Sequence, residues 1–542
     1  MKKRFLSLLL ASVMVLGSLT ACGIGEENKD DTTVQETIVD EQEKDKILRV
    51  ATEDPQVPLD MHLYTYSMIM KITDNVCESL LLTNAEGELE PVLLTDMPTL
   101  SEDKRTYTFE LKEGVKFHNG AVLTSRDVKY SLERMISKAA MPGLLEQVEG
   151  YEPFLKGETK DLEGIELIDD THFNIHLAEI YTPLLSVLAT PYTAIYPVEA
   201  CEMAGENWGM TELYGTGPFK LVSYETGVGA ELVKFDDYHG GEVNLDRVTY
   251  QFMDDPWMAV FEYKKGNVDL TYMDAALYKR LANDKTVNED MHSFQPIGGY
   301  YLTINSNVIT DPKVREAMTY AVDRTALCEG TLFGAAEPNS NFLPENMIGG
   351  NPEAEQFEYN PEKSKALLAE AGYTEVIAAG GCVYEFELVV NTAYGAGIYI
   401  AKTLQSQMKD AGFKVDIRKV DNAVWMNMKA GGLIEVGLDS WYADYNDPNY
   451  MLYPVSDSCS DTNSIFWHND EFKSLMIEGA QTEDIDERQQ IYARADQILT
   501  HEEFGVVALF NETMFYLTKP YVEDFEVTSS YRTMLKNVDI VQ

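Results

Sequence analysis

Two stretches in the second half of this 542-residue chain follow one plan. NPEKSKALLAEAGY (360–373) and IYIAKTLQSQMKDAGF (398–413) each space their apolar residues for a helix and stop at an Ala-Gly-aromatic triplet. Gly372 and Gly412 suit that stop, because glycine enters the left-handed conformation without a Cβ clash. KVDIRKV (414–420) then alternates as a strand does. Asn360 is the expected cap of the first helix, with Pro361 in its first turn. The same device opens DPKVREAMTYAVDR (311–324), where Asp311 caps, Pro312 follows, and Val314, Ala317, Met318 and Ala321 form the stripe to be buried. A chain that alternates helices and short strands in this way is committed to an α/β fold with mixed sheets.

The first half adds strands of the same kind. TYTFELK (106–112) puts Tyr107, Phe109 and Leu111 on one face, and HFNIHLA (172–178) does so with Phe173, Ile175 and Leu177. Between them SRDVKYSLERMI (125–136) carries Val128, Leu132, Met135 and Ile136 at helical spacing. About 500 residues exceed what one core organises, so two or three lobes are expected.

The chain opens as an export signal: Lys2, Lys3 and Arg4, an apolar run from Phe5 to Leu19 too short to span a bilayer, then Leu19-Thr20-Ala21-Cys22. Those four residues look like a lipobox, so residues 1–21 read as signal peptide and Cys22 as the lipidated residue. Gly23 to Lys46 has no aromatic residue and is rich in charge, which predicts a flexible tether over 22–45. Fully extended, it reaches about 80 Å. The mature chain is then expected on the extracytoplasmic face of a bacterial membrane, at the cell surface or in the periplasm.

Formal charge is 43 − 90 = −47, which argues against nucleic acid and anionic lipid as partners. Five cysteines remain after Cys22, an odd number without a C-x-x-C pair, and suggest neither a disulfide framework nor a zinc site. Enzyme motifs fail one by one. There is no G-x-S-x-G elbow and no Gly-Lys dipeptide for a phosphate loop. GTGPFK (215–220) is broken as a dinucleotide fingerprint by Pro218 and Lys220, and HEEFG (501–505) has Gly505 where a metalloprotease needs its second histidine. No catalytic residue, cofactor or metal is expected.

WYADYNDPNY (441–450) sets Asp444 and Asp447 among Trp441, Tyr442, Tyr445 and Tyr450. Together with ILRVATEDPQVPLD, FHNGAVLTSRDVKYSLER (117–134), GTGPFKL (215–221), DPKVREAMTYAVDR and YNPEKSKALLAEAGY, in that order along the chain, it resembles the family 5 extracellular solute-binding proteins of ABC importers. The resemblance covers about residues 47–475. It implies a two-lobed periplasmic-binding-protein fold, type II, enlarged by an extra domain and joined by hinge strands. Lobe I would take 46–83, 208–296 and 513–542, an inserted domain II 84–207, and lobe III 297–512.

The resemblance also implies a peptide ligand, an ABC permease and ATPase as partners, and a monomer. Its W-x-x-D element, here Trp441 and Asp444, would pair Asp444 with the peptide's α-amino group while Trp441 and Tyr445 wall the pocket. Asp447, before Pro448, reads instead as a turn residue. Thr65 and Ser67, on the loop after Leu59-Asp60, would face the cleft. Asn391 ends EFELVVN either at the cleft edge or as a turn cap. Leu438 stands where some relatives carry a base for the peptide carboxylate; Lys429 is a substitute or a solvated surface lysine. A non-peptide solute (metal chelate, glycan fragment) and a surface chaperone or adhesin role stay open.

Overall fold

The computed structural model describes residues 45–84, 87–138, 141–378, 380–393, 395–456 and 465–541. The signal, Cys22, the tether up to residue 44 and Cys459 lie outside them.

Three sheets organise the chain. The first has seven strands in the order Met291–Phe294, Met514–Thr518, Leu270–Met273, Ile47–Thr52, Arg247–Phe252, Gly229–Lys234, Phe219–Glu225. Its central strand Ile47–Thr52 runs parallel to both neighbours, pairing Ile47 with Arg247 and Val50 with Leu270, while the outer strands are antiparallel. The second has six strands in the order Ala336–Pro338, Val506–Glu512, Gly298–Ile304, Val436–Tyr442, Tyr384–Asn391, Phe413–Val420. There Tyr384–Asn391 is parallel to the strands on either side. The third is a four-stranded antiparallel sheet of Thr99–Leu100, Thr106–Glu110, His172–His176 and Ile165–Leu167.

The local signals act as their chemistry dictates. Tyr107 and Phe109 are buried on one face of the strand Thr106–Glu110, and Phe109 stacks on Phe173 with ring centroids 4.8 Å apart. Asp311 accepts from the Lys313 amide at the head of the helix Pro312–Tyr320, and Asn360 from Lys363 at the head of Pro361–Glu370. Gly372 (φ +92°) and Gly412 (φ +97°) end their helices in the left-handed region.

The four-stranded unit is fixed to the first large sheet by buried polar contacts. Arg134, on the helix Ser125–Lys138, grips Asp60 with both ends of its guanidinium (3.0 and 2.6 Å), and both side chains are almost fully buried. His118 accepts from the Gly215 amide through Nδ1 (3.2 Å), which leaves its proton on Nε2 to donate to the Gly217 carbonyl (2.9 Å). Gly215 packs so tightly that a Cβ there would lie 2.0 Å from the Val76 carbonyl oxygen. Thus the GTG run is a packing element. One apolar core runs through this unit and the first sheet, including Leu48, Phe109, Leu132 and Trp208. A second core of Leu302, Met318, Leu388, Leu404 and Phe413 lies against the six-stranded sheet.

The chain passes between the two large sheets twice, from Phe294 to Gly298 and from Glu512 to Met514. Ile297 anchors the first passage, donating to the Ser529 carbonyl (3.0 Å) and accepting from the Ala443 amide (2.7 Å). Gly298 begins the next strand at φ +145°, where a Cβ would meet the Trp441 carbonyl oxygen at 2.2 Å. Cys77, Cys201, Cys328 and Cys382 are buried free thiols.

Removing one partner of the Asp60–Arg134 pair strands a buried charge. Asp60→Ala should therefore lower stability by about 3–5 kcal/mol in urea unfolding.

Candidate ligand-binding site

The strand Val436–Tyr442 runs into the turn 443–447 beside the first crossing, because the Ala443 amide is bonded to Ile297. The two acids of that turn meet different fates. Asp447 caps the helix Pro448–Leu452, accepting from the Asn449 amide (2.9 Å), and both its oxygens bind Arg488 (2.8 and 3.1 Å). It is a structural residue, as its place before Pro448 suggested. Asp444 has no such partner. Among the described residues no lysine, arginine or histidine pairs with it, and it accepts hydrogen bonds only from the hydroxyls of Tyr450 and Tyr192. Burial pushes its carboxyl up to about 6, against the opposing pull of those two hydroxyls.

The rings around it are interlocked. Trp441 lies 5.5 Å from Tyr450, and Tyr445 lies 4.8 Å from Tyr450. The Trp441 Nε1 is buried with no acceptor among the described residues. Tyr445 is only 2% exposed and shares a hydrogen bond with Tyr181. Tyr192 sits in the turn Pro191–Thr193 and Tyr181 precedes it, so both reach this turn from the unit of the four-stranded sheet. Tyr442 points toward Glu512 at the second crossing and donates to its carboxylate (2.7 Å). Burial raises the Glu512 carboxyl too. Tyr531, from the C-terminal segment, stands edge-on to Tyr442 at 5.5 Å. A cavity of about 480 Å³ opens at Asn449, on the helix Pro448–Leu452 that follows the turn, and is lined also by Tyr181, Tyr453, Lys473 and Met476.

The remaining expected site residues have other partners, or none in this group among the described residues. Asn391 is fully buried, donates to the Asn422 side chain (2.8 Å) and accepts from the Ala393 amide (3.0 Å), the geometry of a turn cap. Thr65 is half-buried and Ser67 exposed at the head of the helix Ser67–Thr73; among the described residues neither is bonded to the Asp444 group. Lys429 is not a solvated surface lysine: it pairs with buried Asp439 at 2.7 Å, its own side chain 14% exposed. The Asp439 carboxylate, enclosed by the sheet, requires a counter-ion, and Lys429 is it. Sequence reasoning did not find Tyr192 or Tyr181, because nothing local to PYTAIYP (191–197) marks it as a neighbour of a turn some 250 residues away.

Two large mixed sheets joined by two short crossings, with a buried and unanswered carboxylate beside one of them, define a two-lobed binding protein. The chain belongs to the bacterial extracellular solute-binding proteins, family 5, whose family model matches residues 88–463. It is a binding protein, not an enzyme. It is similar to the dipeptide-binding protein of Escherichia coli K12 (26% identical over 463 residues, 81% of this chain and 84% of that protein). It is equally similar to heme-binding protein A of Haemophilus influenzae (26% over 455 residues, 81% and 82%). Among solved structures, the Escherichia coli murein tripeptide-binding protein MppA superposes with a TM-score of 0.78 at 21% identity, covering 92% of this chain and 99% of that one. Haemophilus influenzae OppA in complex with RPPGFSPFR gives 0.76 at 22%, covering 92% and 100%. At such identities the structural likeness speaks for the fold.

An Asp444 that titrates near 6 when folded and near 3.8 when unfolded penalises the empty protein once it is ionised. As pH rises from about 4 to about 6 the unfolded chain gives up this proton while the folded chain keeps it, so stability falls; above about 6 the penalty stays constant. Asp444→Asn should accordingly stabilise the ligand-free protein at pH 7.5, by up to about 3 kcal/mol. Thermal melts should show the gain fading toward pH 4.

Proposed function

We propose that this protein is an extracytoplasmic receptor that holds peptides by their free amino terminus at Asp444, between its two lobes, and delivers them to an ABC permease. The observation that carries this reading is the carboxylate of Asp444, buried among rings and held by two tyrosine hydroxyls without a cation. A buried carboxylate in that state is short of one positive charge, and an α-ammonium supplies the charge and the hydrogen-bond donors together. The names of the relatives support the same class, since several are dipeptide-, oligopeptide- or murein peptide-binding proteins. The heme-binding relative, at equal identity, marks the principal alternative, a non-peptide solute in the same fold.

In this reading the segments 46–83, 208–296 and 513–542 move as one lobe, 297–512 as the other, and 84–207 is an insertion that carries Tyr181 and Tyr192 to the site. Trp441 walls the pocket beside Asp444. Closure follows when the ligand binds the closed arrangement better than the open one. Lipid attached at Cys22 tethers the whole to the membrane.

Calorimetry tests the anchor. Asp444→Ala should weaken free-amine peptides by about 2–5 kcal/mol, and unchanged affinity rejects the role. Membrane fractionation tests the tether: Cys22→Ser should move the protein to the soluble fraction and abolish fatty-acid labelling.

A further inference from the structure

Glu512, at the second crossing, is a second acid whose neighbours point to a ligand. Among the described residues it takes one hydrogen bond, from the Tyr442 hydroxyl (2.7 Å), and the charge it faces is another acid, Asp274, at the head of the helix Ala275–Leu281. Burial lifts its carboxyl against the pull of the Tyr442 hydroxyl, and the like charge of Asp274 adds to the lift. Two acids that confront each other in a half-enclosed place repel until a cation comes between them.

The surroundings suit such a cation. Tyr442 and Tyr531 stand edge to face at 5.5 Å, and Phe294 meets Tyr531 in the same way at 5.7 Å. Gly298 and Gly299 open the strand that runs between those of Tyr442 and Glu512. Bare backbone there lets the tyrosine reach across, since a Cβ on Gly298 would lie 2.9 Å from the Tyr442 ring. Tyr531 is held in the left-handed region (φ +63°), a costly conformation for a bulky side chain, by a turn in which its amide donates to the Thr528 carbonyl (3.0 Å). Burial raises its hydroxyl, and the charges of Glu512 and Asp444 both add to that, so the two acids share one neighbourhood. Tyr442, Tyr531 and Glu512 are each only half-buried, and the faces of such rings attract a cation.

We infer that Glu512, with the rings of Tyr442 and Tyr531, forms a second cation subsite that takes a lysine or arginine side chain from the first or second residue of the peptide. This rests on the amino-anchor reading above and deepens it to a substrate class, peptides that are basic at their amino end. Asp444 takes the α-ammonium and Glu512 the side-chain cation. Because Tyr531 neighbours both acids, that side chain leaves the backbone close to the anchored end. In the proposed division Glu512 and Tyr442 belong to one lobe and Asp274 and Tyr531 to the other. A cation between the two acids therefore gains most when the lobes are shut.

Calorimetry with the full purified protein tests this, using tetrapeptides that carry lysine or its uncharged analogue norleucine at position one or two and alanine elsewhere. Lysine should bind at least tenfold more tightly than norleucine at one of these positions, and in Glu512→Gln that ratio should fall below threefold. A ratio below tenfold at both positions in the unsubstituted protein overturns the inference. So does a ratio that Glu512→Gln leaves unchanged, which assigns the preference to the acidic surface at large. N-acetylated norleucine peptides are run alongside. If acetylation weakens them at least tenfold, the amino anchor stands whatever the lysine result; if it does not, the anchor and this inference fall together.

Discussion

The buried pair of Asp60 and Arg134 is the contact on which the rest of this structure depends. It ties the helix Ser125–Lys138 of the four-stranded unit to the loop that follows the central strand of the first sheet. Bidentate geometry leaves the two partners little orientational freedom, and burial makes any looser arrangement expensive. Around it lie further clamps of the same kind. Glu78 accepts from Thr216, Tyr238 and His239, and His118 brackets the Gly215–Gly217 loop. With the unit held so firmly, Tyr192 and Tyr181 arrive at a turn contributed by the far sheet and complete the surroundings of Asp444 and Tyr445.

A strongly acidic chain has to neutralise its buried carboxylates one by one. Asp60, Asp74, Asp269, Asp439 and Asp447 each have an arginine or lysine. Asp496 makes do with the amides of Phe342 and Leu343, and burial lifts its carboxyl to about 7. Asp444 belongs with these exceptions, yet it differs from Asp496 in its partners. Asp496 is satisfied by fixed backbone, whereas Asp444 is held by side-chain hydroxyls that can also turn toward an incoming ammonium. The same chemical group is therefore fixed by backbone amides in one place and by rotatable hydroxyls in the other.

Much of the architecture is legible in the sequence because it is written locally. Asp311, Asn360, Gly372 and Gly412 mark helix ends through their own side chains or their lack of one, and the alternation of Tyr107, Phe109 and Leu111 marks a strand in seven residues. Asp447 is legible for the same reason, since the proline after it declares a turn. What is not legible depends on distance along the chain. Lys429 reads as a surface residue until the sheet places Asp439 against it, and Asn391 stays ambiguous until Asn422 is seen across from it. Asp60 looks like one more acid in an acidic chain, and only Arg134, 74 positions on, makes it a keystone.

The two crossings, at 295–297 and at 513, set how finely this molecule can measure what it holds. Two lobes pinned at two points have one easy motion, a rotation about the line through the pins, and every group sweeps an arc in proportion to its distance from that line. Asp444 is one residue from Ala443, whose amide is bonded to Ile297 on the line itself. It is therefore nearly stationary, the fixed jaw of a caliper, while groups toward the lobe tips form the travelling jaw. On the proposal that a peptide is held by its amino end at Asp444, tolerance would grow outward from the pivot: the first residue gauged strictly, and each one beyond it more loosely than the last.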